Sequence, residues 1–396
     1  MTSMTSHTAF EGNPIYLDYN ATTPLDPAVF EAMQPYLELH FGNPSSSHAF
    51  GHAAHEAVDR SRRQVAQLLL CDPSEITFTG GGSESDNLAI RGVALAMRRR
   101  GNHIITQVTE HPAVLNTCRA LERLHGFRVT YLPVDEYGRV DPADVETVIK
   151  NSTVLISIMH ANNETGTLQP VAEIASIAHR HGVLMHTDAA QSVGKIATRM
   201  DDLGVDLLTI AGHKLYAPKG IGALYIRRGV QLEPLIYGGG QEAGLRAGTE
   251  NVPYMVALGT ACELAEQQLA KSQARIRSLR QLLHAHLETL LPGQVHLNGH
   301  MTERLPNTLN VSIDGVVGEE VLAATPELAA STGSACHEGN TDPSPVLMAM
   351  GLTRERALGA LRLTLGRWSS EREVEQAVSL LARTIDALSQ TRYNRE

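Results

Sequence analysis

The stretch VLMHTDAAQSVGKIATRMDDLGVDLLTIAGHK, residues 183–214, contains two apolar runs that each lead to charged side chains. The first run ends on Asp188, and the second is followed by His213 and Lys214. Short apolar runs bounded by turn residues are typical of buried strands. The stretch therefore predicts two strands that present a carboxylate and an amine at their carboxyl ends.

Short apolar strand patterns alternate with helix patterns on both sides of this stretch, and this alternation predicts an α/β fold. Buried strands that alternate with helices form a mostly parallel sheet covered on both faces, here one of seven strands. In such sheets, ligands bind beyond the carboxyl ends of the strands. The other strand patterns are EITFT (75–79), HIITQ (103–107), RVTYLP (128–133), TVLISIMH (153–160) and GALYIRR (222–228), and the clearest helix patterns are SESDNLAIRGVALAMRR (83–99) and VAEIASIAHRHG (171–182).

The pattern changes after Pro253, where a long helical segment runs to about Leu291. A chain of 396 residues exceeds the size at which one hydrophobic core usually stops growing, so two domains are expected. We predict a large domain over residues 24–265 and a small α+β domain formed by residues 1–23 and 266–396, with the long helix as the bridge. The small domain is predicted from VHLNG (295–299), TLNVSI (308–313), ELAAST (327–332), ALRLTLG (360–366) and a helix over 370–388.

Composition excludes several classes of function. Apolar residues make up 42% of the chain and charged residues 19%, which is typical of globular proteins, and the net charge is −10. No basic stripe suits nucleic acid or an anionic membrane, and no apolar run is long enough to span a bilayer. The first residues lack the features of a signal peptide, so we expect a cytoplasmic protein.

A glycine-rich turn in TGGGSESDNLA (79–89) separates a strand pattern from a helix pattern. Glycines let the backbone approach an anion closely, and the helix start offers free N–H groups, so Gly82 and Ser83 are candidates to bind a phosphate. A tight turn with Ser83 as N-cap explains the same pattern.

Asp188 and Lys214 are each compatible with a structural role, as an N-cap and as a lysine whose stem lies along apolar surface. Partial burial at a strand end would lower the pKa of Lys214 toward the range that suits Schiff-base chemistry. A carboxylate, an amine and a phosphate site on neighbouring strand ends are what pyridoxal 5'-phosphate needs. Together the three features predict a site for that cofactor.

The chain resembles the NifS/IscS-type cysteine desulfurases, which belong to the class V branch of the fold-type I pyridoxal-phosphate enzymes. The similarity covers about residues 15–385, and its ordered series of motifs is more specific than any one of them. These motifs are YLDYNATTPLDP (16–27), FGNPSSSHAFG (41–51), FTGGGSESDNLAI (78–90), EHPAVLNTC (110–118), MHANNETG (159–166), HTDAAQSVGK (186–195), GHKLYAPKGIGALY (212–225), GGGQEAGLRAGTENVP (238–253) and GSACHEG (333–339).

The resemblance implies the roles of the cofactor-binding residues. Lys214 would carry the cofactor, Asp188 would face its pyridine nitrogen, and His111 would stack on the ring and shuttle protons. Cys336 would take the sulfur of L-cysteine as a persulfide and pass it to an acceptor protein or scaffold, leaving L-alanine. The residues implied to bind the cofactor in the same chain are Lys214, Asp188, Gln191, Asn163, His111, Gly82, Ser83 and His213.

The resemblance also implies a substrate site and a second subunit. Arg362 and Asn20 would hold the substrate carboxylate, a task that suits the bidentate fork of arginine. Asn163 would lie near the substrate as well as the cofactor. Thr249 would reach the phosphate of a neighbouring subunit, which implies a homodimer.

Two departures leave alternatives open. Ala211 stands where many desulfurases have a serine three residues before the lysine, which removes one expected hydrogen bond to the phosphate. TIAGHK (209–214), the histidine after Cys336 and PSPVL (343–347) also resemble selenocysteine lyases. The alternatives are a lyase that releases selenium from L-selenocysteine and a non-catalytic sulfur carrier or assembly partner. The leading hypothesis is a cysteine desulfurase that would supply sulfur to iron–sulfur, thionucleoside or related sulfur pathways.

The remaining histidines and cysteines favour structural roles. His48, His52 and His55 are spaced as on one exposed helix face, and no second set of ligands accompanies them, so no metal site is predicted. Cys71, Cys118 and Cys262 lie in apolar helical patterns and are expected to be small buried residues. Cys336 differs, because small residues precede it and the polar run HEGNTDPSP (337–345), which predicts a loop, follows it.

Overall fold

A computed structural model of the chain describes residues 14–333 and 342–393. Cys336 and the segment around it therefore lie outside the described residues. The strands are β1 (Ile15–Tyr16), β2 (Ile76–Thr79), β3 (His103–Gln107), β4 (Arg128–Leu132), β5 (Thr153–Ser157), β6 (Leu184–Asp188), β7 (Leu207–Ala211), β8 (Gly222–Ile226), β9 (Val295–Leu297), β10 (Thr308–Ile313), β11 (Leu328–Ala329) and β12 (Ala360–Thr364).

Helices surround these strands, and several begin with a residue whose side chain caps the first turn. His111 caps α4 and Asn251 caps α8, each with a proline in the first turn. The helices are α1 (Pro27–Glu38), α2 (Ala49–Leu69), α3 (Gly82–Ala96), α4 (Pro112–His125), α5 (Pro142–Val148), α6 (Val171–Arg180), α7 (Met200–Leu203), α8 (Val252–Leu290), α9 (Gly318–Ala323), α10 (Pro345–Ala349), α11 (Arg354–Leu358) and α12 (Glu371–Tyr393).

The predicted seven-stranded sheet is confirmed, in the order β2-β8-β7-β6-β5-β3-β4. All of its neighbours from β7 to β4 pair in parallel, while β8 runs antiparallel to both β7 and β2. The carboxyl ends of β2, β3, β5, β6 and β7 consequently meet at one edge. Strand burial is almost continuous, as expected for a sheet with both faces covered.

Two sequence expectations differ from the structure in detail. Ser83 is not an N-cap, because α3 begins at Gly82 and its N-cap is Gly81, which provides no side-chain hydrogen bond. Gly81 has φ of 145°, a backbone conformation that only glycine adopts readily. The ELAAST pattern (327–332) forms only the two-residue strand β11, which pairs with β1.

The buried apolar residues divide into clusters that the long helix α8 connects. One cluster packs on the large sheet and includes Val256 and Leu258 from the first half of α8. Another includes Leu283 and Leu287 from its second half, together with residues of β10, β12 and α12. With 39 residues, α8 is about 58 Å long at 1.5 Å per residue, which suffices to reach both clusters.

The structure also locates the histidines and cysteines for which we predicted structural roles. His52 and His55 are exposed on α2, and His48 is its N-cap. Within residues 14–333 and 342–393, no group of three or more His, Cys, Asp or Glu side chains could hold a metal ion. Cys118 and Cys262 are buried as predicted, whereas Cys71 follows the end of α2 and is half-buried. No helix in the described ranges combines the length and apolarity needed to cross a membrane.

Candidate active site

A cavity of about 1000 Å³ lies at the edge where the carboxyl ends of the parallel strands meet. Residues from both ends of the chain complete its walls, including Asp18 and Arg362. Ten residues that the sequence predicted as functional line this one cavity: Asn20, Gly82, Ser83, His111, Asn163, Asp188, Gln191, His213, Lys214 and Arg362.

The glycine turn between β2 and α3 forms one wall of the cavity. The N–H groups of Gly82 and Ser83 donate to no acceptor among the described residues, because they belong to the first turn of α3. A Cβ atom at Gly82 would lie 3.1 Å from Cβ of Ala211, so a larger residue there would crowd β7. This wall can accept an anion through backbone amides.

Asp188 ends β6 at the floor of the cavity and is buried. Its Oδ1 accepts a hydrogen bond from N–H of Ala190 at 2.9 Å. Burial raises the pKa of Asp188 above its ordinary value, while this hydrogen bond and the charges of His111 and Lys214 oppose the rise. A cationic group placed against Asp188 would favour its ionised form.

Two further buried carboxyl groups, those of Asp86 and Glu110, line the same cavity. Burial, followed by the charge of Asp188, raises the pKa of Asp86 well above its ordinary value, and Oδ1 of Asp86 has no hydrogen-bond partner among the described residues. Burial raises the pKa of Glu110 to about 8, although its Oε1 accepts hydrogen bonds from Gln107 at 2.8 Å and from N–H of Met159 at 2.6 Å. Both groups therefore favour the neutral form near pH 7, and Asp188 is the carboxyl group that a ligand with a protonated nitrogen would meet.

Lys214 enters the cavity from the short turn that follows β7. Its Nζ donates to the carbonyl oxygens of Asn20 at 2.5 Å and Ala21 at 2.6 Å. Burial and the charge of Arg362 lower the pKa of Lys214 to about 8, against the opposing charges of Asp18 and Asp188. A substantial fraction of its amine is therefore unprotonated slightly above neutral pH, as a nucleophile or base requires.

His111 faces the cavity from the start of α4. Its Nδ1 accepts a hydrogen bond from N–H of Ala113 at 3.2 Å, so in the neutral ring the proton is on Nε2. Burial and the charge of Lys214 lower the pKa of His111, while Asp188 opposes them. His213 is on the other side, where burial lowers its pKa to about 4 and Nδ1 lies 3.2 Å from the hydroxyl of Thr22.

Asn20 is the centre of a hydrogen-bond network on the wall opposite the glycine turn. Its Nδ2 donates to the carbonyl oxygen of Asn163 at 3.1 Å and to the hydroxyl of Thr308 at 2.9 Å. Its own carbonyl oxygen accepts from Nε2 of Gln191 at 3.0 Å. The network joins β10, the turn after β6 and the chain after β1.

Arg362 extends from β12 toward the mouth of the cavity. Its Nη2 forms an ion pair with Asp18 at 2.7 Å, and Nη1 donates to the carbonyl oxygen of Asn163 at 3.4 Å. Its buried Nε has no hydrogen-bond partner among the described residues. A small carboxylate that reached Arg362 would meet a guanidinium with unused donor capacity.

Glu164 is a buried carboxyl group beside Arg362 that sequence reasoning missed. Its Oε2 accepts a hydrogen bond from the hydroxyl of Ser344 at 2.5 Å, and a Cβ at Gly333 would lie 2.9 Å from the same oxygen. Burial raises its pKa to about 7, against the hydrogen bond from Ser344 and the charge of Arg362. Gly333 and Asp342, which flank the segment of Cys336, both line the cavity.

One predicted site residue does not line the cavity of its own chain, and another is not described by the structure. Thr249 is exposed and is not part of the wall in its own chain, and its predicted partner is a second subunit. Cys336 lies outside the described residues. Besides Glu164, sequence reasoning missed Asp18, Asp86, Glu110 and Lys195. Each is a charged residue inside a motif quoted above, and this is the only sequence signal that could have drawn attention to it.

Comparisons with known proteins agree with this geometry. A family model described as aminotransferase class-V matches residues 15–377. Proteins named cysteine desulfurase IscS from Dictyoglomus turgidum and Klebsiella pneumoniae are 46% and 47% identical, over 94% and 95% of this chain and 95% and 93% of theirs. A NifS-like protein superposes with a TM-score of 0.88 at 37% identity, covering 94% of this chain and 99% of the other. A structure described as SspA in complex with cysteine superposes with a TM-score of 0.79 at 40% identity, covering 88% and 98%.

Proposed function

We propose a mechanism for this chain from the premise that it belongs to the aminotransferase class-V family and is a cysteine desulfurase within it. In this mechanism L-cysteine becomes L-alanine, and its sulfur passes through Cys336 to an acceptor. The observation that carries the proposal is that Lys214, Asp188 and the free amides of α3 meet in one cavity with Arg362 at its mouth.

The residues present fit pyridoxal 5'-phosphate. The amides of Gly82 and Ser83 would hold its phosphate, Asp188 its pyridine nitrogen and Lys214 its aldehyde carbon, with His111 against the ring. The free amides of Gly82 and Ser83 and the buried carboxyl group of Asp188 are the features on which this fit rests. When bound, the cofactor supplies an electron sink that stabilises the charge left on the substrate α-carbon after loss of its proton.

Lys214 is the residue that we propose removes the α-proton. Its pKa of about 8 keeps part of the amine unprotonated near neutral pH, and Nζ is already directed into the cavity by two carbonyl oxygens. His111 keeps a neutral ring with the proton on Nε2, so it can give that proton to a leaving atom and later regain it.

Arg362 and Asn163 orient the substrate. The guanidinium would bind the α-carboxylate of L-cysteine, and the ion pair with Asp18 holds the guanidinium in place. Because Asp18 accepts from only one N–H of Nη2, the substrate carboxylate would use the remaining N–H groups of Nη1 and Nη2. This places the amino end of the substrate toward Lys214.

Sulfur transfer requires a thiolate at Cys336. A bond forms between Sγ of Cys336 and the substrate sulfur while the Cβ–S bond of the substrate breaks. Cβ keeps the electron pair of that bond and takes up a proton, and Lys214 returns a proton to the α-carbon, which yields alanine. The sulfur left on Cys336 as a persulfide is then available to an acceptor protein.

The test is peptide mass spectrometry after incubation of the holoenzyme with L-cysteine. We expect the mass of one added sulfur atom on the Cys336 peptide, and no alanine release from L-cysteine by Cys336→Ala. Cys71→Ala, at a half-buried thiol away from the cavity, is the matched control and should behave as wild type. Added sulfur confined to Cys71, Cys118 or Cys262 would contradict the assignment of the thiol.

The same preparations distinguish the alternative activities. Alanine release from L-selenocysteine that survives Cys336→Ala, without release from L-cysteine by the wild type, would indicate a selenocysteine lyase. A wild-type protein that shows no absorption from a lysine-bound cofactor would indicate a non-catalytic sulfur carrier.

A further inference from the structure

Lys195 is a largely buried lysine next to the cavity that the proposed mechanism does not use. The turn after β6 brings it back over Gln191, helped by Gly194, whose φ is 74°. Nζ of Lys195 donates to Oε1 of Gln191 at 2.8 Å and to Oδ1 of Asn20 at 3.2 Å. Both acceptors belong to side chains that line the cavity.

The environment of Lys195 is unfavourable for a cation. Among the described residues, no carboxylate oxygen lies within 4.0 Å of its Nζ. Burial, followed by the charges of Lys214 and Arg362, lowers its pKa to about 7. An ammonium group held by amide oxygens alone costs folding free energy, so packing does not account for it.

The hydrogen bonds of Lys195 determine the direction of two amide groups. An ammonium group only donates, so the oxygen atoms of Gln191 and Asn20 must both face it. Nε2 of Gln191 then faces the carbonyl oxygen of Asn20, and that same oxygen accepts from Nζ of Lys214. Lys195 therefore acts on the position of Lys214 through Gln191 and Asn20.

The charge of Lys214 acts on Lys195. It is one cause of the low pKa of Lys195, so Lys195 loses its proton first and is a neutral hydrogen-bond donor where Lys214 titrates. The other titratable and charged groups around the pair are His213, Arg362, Asp18 and Asp188 on the side of the cavity, and Tyr19, Tyr216 and Arg367 across a small space next to Lys195.

We propose that Lys195 is a positioning residue of this site, which fixes the amides of Gln191 and Asn20 and through them the position of Lys214. The proposal rests on the proposed function, because it concerns the lysine that would hold the cofactor. Lys195 touches neither substrate nor cofactor in this role.

The main test is Lys195→Met, which keeps the length of the side chain and removes both the donors and the charge. We expect the affinity of the apo-protein for pyridoxal phosphate to fall about tenfold, because the amides of Gln191 and Asn20 lose the group that orients them. We also expect kcat at pH 7 to fall about tenfold, with KM for L-cysteine changed less than threefold. Lys271→Met, at an exposed position of α8, is the matched control and should leave both unchanged.

A double-mutant cycle tests whether Lys195 acts through Gln191. We expect the affinity of the apo-protein for pyridoxal phosphate to fall about tenfold in Gln191→Ala and in Lys195→Met, and no further in the double variant. Additive losses in the double variant would overturn this route. Lys195→Arg, which restores a buried donor and a charge, should recover most of the affinity.

The result that overturns the proposal is a folded Lys195→Met protein with the cofactor affinity and the kcat of wild type. Should this variant fail to fold, Lys195→Gln replaces it, because its side chain is one atom shorter and cannot donate to both oxygen atoms as Lys195 does. The same fall in cofactor affinity is expected, and wild-type affinity and kcat in this variant refute the positioning role. Failure of the proposed function looks different, since the wild type itself would then neither bind pyridoxal phosphate nor release alanine.

Discussion

The charge of Asp188 is predicted to matter more for the reaction than for folding. Asp188→Asn keeps the size of the side chain and an oxygen that accepts from Ala190, but removes the negative charge that would face a protonated ring nitrogen. We expect alanine release to fall about 100-fold or more, which corresponds to roughly 3 kcal/mol of transition-state stabilisation. The urea midpoint of the apo-protein should stay unchanged or rise, since burial disfavours this charge.

Asp86→Asn is the control for that substitution. Asp86 is buried as well and lines the same cavity, but its Oδ1 lies 3.7 Å from Nε2 of His186. We expect its alanine release to stay within about tenfold of wild type. Equal losses in the two variants would mean that the acidic cluster acts as a whole and that Asp188 has no individual role.

The sequence could predict those site residues that lie where a strand or helix pattern ends. Asp188 and Lys214 follow apolar strands, and Gly82 and Ser83 lie between a strand and a helix, so their place at the sheet edge follows from the topology. Asp86, Glu164 and Lys195 are different, because a charged residue in a helix turn or loop resembles a solvated one. Only the packing of distant segments around them, such as Ser344 on Glu164, reveals that they are buried.

The contact between Glu164 and Ser344 joins the loop after β5 to the start of α10. Because the carboxyl group of Glu164 is buried in this contact, the free energy of unfolding should depend on pH. The raised pKa of about 7 means that the folded state binds a proton at Glu164 where the unfolded state has released it. Between about pH 4.5 and pH 7, stability is therefore expected to fall as pH rises, by on the order of 1–3 kcal/mol. Glu164→Gln keeps the acceptor for Ser344 and should remove this part of the slope.

Urea midpoints measured on the apo-protein at pH 5, 6, 7 and 8 provide the comparison. Glu56→Gln, at an exposed position of α2, should retain the slope of wild type. A remaining slope in Glu164→Gln is expected from Glu110, whose pKa is also raised. A slope in Glu164→Gln as steep as in wild type would show that the burial of Glu164 has no such effect.

The pairing of β7 with β8 illustrates how far the direction of strands could be predicted from the sequence. The runs that form β7 and β8 have the composition of buried strands, and composition alone does not distinguish a parallel from an antiparallel neighbour. The connection does carry a signal, because residues 212–221 are too few for a helical crossover and so favour the antiparallel pairing that is found. The N-cap of α3 was harder to predict, since three consecutive glycines and a serine offer several possible first residues for the helix.

At the scale of the whole molecule, α8 is the element on which the division into domains depends. Its first half packs against the large sheet and its second half against β10 and α12. We retain the proposal of a boundary near residues 265–266, because Ala265 belongs to the first cluster and Leu279 to the second. The lining of the cavity by Asp18, Asn20 and Arg362 means that substrate binding would involve both domains.

The second subunit is the remaining proposal at this scale, and Thr249 provides its test. Thr249 is exposed and outside the cavity of its own chain, in a loop before α8. If it completes the phosphate site of a partner, Thr249→Ala and Lys214→Ala homodimers should both be impaired, the second completely. A mixed dimer of the two variants would nevertheless contain one intact site, formed by Lys214 of one protomer and Thr249 of the other.

Differently tagged Thr249→Ala and Lys214→Ala protomers, co-expressed and purified as the mixed species, should therefore regain up to about half of the wild-type alanine release per dimer. The reason is geometric, because complementation across an interface requires residues of two chains in one site. If Thr249 served only its own chain, the Lys214→Ala protomer would have no lysine and the other protomer would keep its defect. A mixed dimer no more active than half of the Thr249→Ala homodimer, or a protein that sediments as a monomer, would rule out the shared site.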